Sequence, residues 1–109
     1  MKPIAFRGSS LADLRSFPAD VVREAGYQLD RVQRGMAPFD AKPMADIGSA
    51  VAELRLWDEA GTFRVIYVAK FEDAVYVLHC FQKKTQKTAK KDIDLAKRRY
   101  KDLIKEIAS

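Results

Sequence analysis

"VAELRLWDEAGTFRVIYVAKFEDAVYVLHCFQ", Val51–Gln82, decides the fold. Its first segment alternates: Leu54 and Leu56 share one face, Glu53 and Arg55 the other, which is the period of a half-buried strand. "TFRVIYVAKF" and "AVYVLHCFQ" are apolar on both faces, so they should be central strands covered on both sides. "DEAGT" and "EDA" are short enough to be hairpin turns, which makes the three segments an antiparallel meander.

Toward the N-terminus, "KPIAFRG" has the length of a short edge strand, with Pro3 at its start where a missing N–H costs little. Ser9 or Ser10 can cap a short helix through Leu11, Leu14 and Arg15. A second helix restarts at Pro18, a residue suited to the first helical position. In it Val21, Val22, Ala25, Leu29 and Val32 recur on one face, and Gly35 is placed to close it. Residues 36–50 contain two prolines and a glycine and show no period, so they read as a loop of about 15 residues, a length that is often functional. Toward the C-terminus, Thr88 is placed to cap a last helix. Ile93, Ala96, Tyr100, Leu103, Ile104 and Ile107 form its apolar stripe, and Lys90, Lys91, Lys97, Arg98 and Lys101 fall elsewhere on it. The order strand, two helices, three antiparallel strands, helix predicts an α+β two-layer fold, one domain over residues 1–109.

A chain of 109 residues can bury roughly two-thirds of its unfolded surface in one core. The single cysteine, Cys80, rules out an internal disulfide, and no Cys, His and carboxylate set has metal-ligand spacing. No metal or cofactor is expected. No window approaches the roughly 18 apolar residues that span a bilayer, so a cytoplasmic protein with no membrane contact is expected.

The net charge of +5 is one-sided. Residues 1–58 hold eight Lys or Arg and eight Asp or Glu, whereas residues 59–109 hold twelve against seven. A basic half suits an anionic partner: nucleic acid, a ribosome surface or an acidic protein.

Glycine-rich phosphate loops, Ser–His–Asp sets and activated cysteines are missing. His79 reads as a packed strand histidine and Cys80 as a small buried hydrophobe. Cations on the sheet remain. Arg64 opens its strand, where truncation should cost little stability, and Lys83 and Lys84 close the next strand. In a meander the start of one strand lies beside the end of its neighbour, which brings Arg64 near Lys83–Lys84, with Arg55 in reach. Such a gathering is costly to desolvate unless an anion arrives, so it suits phosphate recognition. Alternatively each cation snorkels to water on its own.

"GYQLDRVQRG", "KPM" followed by "ELRLWDEAGTFRVIYVAKF", and "VYVLHCFQKKTQKT" before a basic helix together resemble the phage-related HigB-like toxins, a branch of the RelE-type toxins of toxin–antitoxin modules. The resemblance covers nearly the whole chain. It implies a RelE-like fold and an endoribonuclease that cleaves mRNA on the ribosome without a cofactor. It also implies a helix-turn-helix, HigA-like antitoxin as partner, with DNA met only through that complex. Carried over, Arg64 in "FRVIY" matches the family's catalytic-strand arginine, and Lys83 and Lys84 in "FQKK" match its basic residues after the last strand. Arg55 in "ELR", with Lys87 and Lys90, fits substrate phosphates. Of the C-terminal histidine or tyrosine that some relatives use as acid or base, this chain has only Tyr100, on the apolar stripe. The same fold also carries ParE-like inhibitors of DNA gyrase and could carry a non-catalytic RNA-binding module, since fold does not fix function.

Overall fold

The computed structural model describes all 109 residues, Met1–Ser109. Strand β1 (Ile4–Phe6) leads into helices α1 (Ser10–Arg15) and α2 (Ala19–Gln33). Strands β2 (Ala41–Pro43), β3 (Val51–Asp58), β4 (Gly61–Val68) and β5 (Val75–Lys83) follow, and helix α3 (Lys90–Ala108) closes the chain. The sheet runs β1-β5-β4-β3-β2. The meander β3–β4–β5 is antiparallel, as its short turns require, and β4 is central. The sheet as a whole is mixed, because β1 lies parallel to β5.

The α+β class follows from segregated helices and strands, and the arrangement is compatible with a RelE-like fold. Helices lie on both faces, α3 adding a partial third layer to the expected two. Leu14, Val21, Ala25 and Leu29 pack on one face against Leu54, Leu56, Val65 and Val77. On the other face Ala96 and Leu103 of α3, with Met44 and Ile47, cover Val51, Ile66, Val68 and Leu78. Strands apolar on both faces are therefore satisfied on both. No helix is long and apolar enough to cross a membrane.

Three local expectations are corrected. Residues 36–50 are not all loop: Ala41–Pro43 adds an edge strand to β3. A three-residue strand with proline at its end has too little period to read in sequence. Pro18 is the N-cap of α2 rather than its first residue. Thr88 does not cap α3, whose N-cap is Ala89. Its hydroxyl instead donates to Glu53 Oε2 at 2.9 Å.

A β-bulge in β5 decides what faces where. Ile66 pairs with His79 but Tyr67 pairs with Val77, so Leu78 is the extra residue. Consecutive residues Leu78 and His79 both face α3, and the alternation beyond them is inverted. Cys80 thus enters the α1–α2 core, while Phe81 and Lys83 appear on the α3 face.

Candidate functional site

The α3 face is covered at one end only. Beyond Ile66 the same face carries Arg64 and Thr62 on β4, Glu53, Arg55 and Trp57 on β3, and Phe81 and Lys83 on β5. Lys42 of β2 is directly opposite Glu53. The segment 84–89 returns across this end and is fastened there by the Thr88–Glu53 hydrogen bond.

Glu53 is the centre of the arrangement. Its carboxylate is 1% exposed and accepts from Thr88, while Arg64 Nε lies 3.2 Å from its other oxygen. The Arg64 N–H is not aimed at that oxygen, so Nε has no hydrogen-bond partner, and Nη1 donates to Phe63 O at 3.1 Å. Arg64 is the fourth residue of β4 and 3% exposed, not a free strand-end cation. Burial pushes its guanidinium below the ordinary value, with Glu53 opposing. It nevertheless stays charged near neutrality, as arginine does in proteins.

Burial also holds the Lys83 ammonium below its ordinary value, followed by the Arg64 charge, with Lys42 and Arg55 adding to the effect and Glu53 opposing it. Of the residues expected to gather, Arg64, Lys83 and Arg55 lie on one face, Lys84 lies just beyond the end of β5, and Lys42 joins the face from β2. Lys84 lines a hollow of about 260 Å³ with Lys83, Phe81, Lys91 and Asp92. Lys87 lines an adjoining hollow of about 320 Å³ with Lys42 and Thr88, on the other side of the 84–89 segment. Lys42, Lys83, Lys84 and Lys87 make no ion pair. Lys90 stands apart, exposed on α3 and paired with Asp94 at 2.9 Å. Arg55 is tied to Asp40, its Nη2 2.7 Å from Oδ1.

His79 is packed, as its strand position suggested. It is 6% exposed, stacks on Phe81 at 4.9 Å and shares a 2.7 Å hydrogen bond with Asp92 of α3. Tyr100 lies over Gly48, and its hydroxyl meets Lys70 Nζ at 3.0 Å, away from the cationic end. No group of three or more His, Cys, Asp or Glu side chains converges.

Sequence reasoning missed Lys42, Glu53 and Trp57. Glu53 and Trp57 left a signal: both share the polar period of β3 with Arg55. Lys42 left none, because its strand was not legible. Chemically, the face offers fixed positive charge, one lysine held toward its neutral form, and open lysines on both flanks, a set suited to a phosphodiester.

A family model described as "Phage derived protein Gp49-like" matches residues 12–101, which takes in every element except β1, the first residues of α1 and the last turns of α3. No curated protein matches the chain.

Proposed function

Since this chain belongs to the phage-derived Gp49-like family, whose members are toxins of the RelE/HigB type, we propose that it is a HigB-like mRNA endoribonuclease acting on the translating ribosome. Members of this family generally pair with an antitoxin. The observation that carries the reading is the single open face on which Arg64, Arg55, Lys42 and Lys83 surround Glu53, with Lys83 held below its ordinary value.

In the proposed reaction the RNA 2′-oxygen attacks the adjacent phosphorus. The O2′–P bond forms and the P–O5′ bond breaks, leaving a 2′,3′-cyclic phosphate, and the 5′-oxygen leaves with a proton taken from solvent. Lys83, when neutral, takes the 2′-OH proton; its depressed pKa raises the fraction able to do so. Arg64, 3% exposed and paired with Glu53, acts on the charge of the pentavalent phosphorane from beneath the face, through its field rather than by direct contact. Lys84 and Lys87 hold flanking phosphates, and Arg55 backs the face from its pair with Asp40. Lys90 adds diffuse charge only. The ribosome supplies positioning of the mRNA.

The partner we propose is a HigA-like helix-turn-helix antitoxin that covers part of the basic half with acidic residues. Association should then slow as salt rises.

Mapping the 5′ ends of translated mRNA after induction tests the function. Cuts that appear with the wild type and vanish with Lys83→Ala support it. Growth arrest with intact mRNA and broken DNA would assign the chain to gyrase inhibition instead.

A further inference from the structure

Trp57 is 64% exposed on the cationic face, beside Arg64. An indole left in water among cations is unusual, because tryptophan is highly buried on average. Nor is it loose. Its Nε1 lies 3.4 Å from Asp40 Oδ2, while Asp40 Oδ1 is gripped by Arg55 at 2.7 and 2.8 Å. The Arg64 guanidinium carbon is 5.4 Å from the ring centroid. Asp40 therefore holds Arg55 with one oxygen and meets the indole N–H at longer range with the other, which orients the ring before any ligand arrives.

We propose that Trp57 is a stacking platform for one unpaired base of single-stranded RNA, with Asp40 as its positioning residue. This rests on the RNA reading of the same face. An aromatic ring beside a track of cations matches what single strands present: phosphates on one side, a π-face on the other. The charge around the ring argues against an apolar protein surface, since Arg55 and Arg64 flank it and Lys83 lies on the same face. A ring so oriented loses less conformational entropy on binding than a free one, which favours affinity. Stacking is tolerant of base identity, so the platform sets position along the strand rather than sequence.

Trp57 is the chain's single tryptophan, so its emission reports on itself. The test titrates the full-length protein with a labelled 2′-O-methyl hexaribonucleotide, which cannot be cut, reading anisotropy for binding and indole emission for stacking. Inorganic polyphosphate and an abasic oligomer of equal charge serve as controls. The RNA should quench the emission over the concentrations at which it binds, and neither control should. Trp57→Ala should weaken RNA binding roughly 10- to 100-fold and leave polyphosphate binding unchanged, with Trp57→Phe recovering most of the loss. Asp40→Ala should lower the indole's own anisotropy and the RNA affinity, while polyphosphate affinity is held or raised by the freed Arg55. RNA binding without quenching, or equal affinity for the abasic oligomer, overturns the platform and leaves the RNA reading standing. Absence of RNA binding overturns the platform, while the ribosome-dependent reading stands or falls on the mapped mRNA cuts. Quenching by the antitoxin alone assigns Trp57 to a protein contact and overturns the platform.

Discussion

Arg64 and Glu53 meet diagonally across β4 and β3, Nε 3.2 Å from Oε1, with both side chains almost wholly buried. The pair makes the principal cation of the face part of the core. The catalytic candidate and the fold are thus coupled at one residue, and a test of one disturbs the other.

Arg64→Ala should abolish toxicity and also destabilise the protein, by about 3–5 kcal/mol, because it strands the Glu53 carboxylate without its partner. Adding Glu53→Gln should restore much of the stability and none of the toxicity. Urea midpoints of the two variants, read beside growth assays, separate these effects. A wild-type midpoint for Arg64→Ala would show that the pair does not hold the sheet.

The Lys83 shift fixes the sign of two pH responses. A folded value below the unfolded 10.5 means the native state releases the proton more readily. Lys83 therefore weakens stability at pH values below its folded pKa, and that penalty disappears as pH rises from the folded value toward the unfolded one. In the same direction, the single-turnover cleavage rate should rise with pH and level off below the ordinary lysine range. Lys83→Met should remove both dependences; an unchanged pH–rate profile in this variant would exclude Lys83 as the base.

Lys97 and Lys101 are exposed on α3 and make no ion pair. They are too far along the helix from Lys83 to share its phosphate, so they should supply screened attraction to ribosomal RNA. Replacing both with Gln should weaken ribosome binding and lower its salt slope by about 1–2, leaving the rate of bound complexes nearly unchanged. Replacing Lys83 and Lys84 should instead lower the saturated rate more than tenfold, about 1.4 kcal/mol. Proportional losses of binding and rate in both double variants would refute the division.

Burial pushes the Cys80 thiol up to about 12, and the residue is 2% exposed. The folded protein should therefore resist thiol reagents at neutral pH and react only on unfolding, since the thiolate is the nucleophile. Fast labelling without denaturant would mean that the α1–α2 core opens readily.

A Cβ at Gly48 would come within 2.4 Å of the Tyr100 ring. Gly48→Ala should force that ring off and loosen α3 from the sheet, at a cost of about 1–3 kcal/mol typical of overpacking. Hydrogen exchange in α3 measures it; unchanged protection there would show that the ring can shift freely.

Period and turn chemistry are local, and for that reason the sequence alone determined the meander, the long helices, the confinement of positive charge to the second half, and the packed state of His79. It also brought Arg55, Arg64 and Lys83 to one region, because strand ends and starts in a meander must adjoin. Burial of Arg64 by Glu53, the capture of Thr88 away from the helix cap, and the clamp of Asp40 on Arg55 and Trp57 join residues 15 to 35 positions apart or lie across strands. No local pattern reports such contacts. The bulge at Leu78 is the sharpest case. Strict alternation would have turned Lys83 away from Arg64. One extra residue in β5 inverts the faces beyond it and brings that lysine to the site, and only the pairing of β5 with β4 decides that such a residue exists.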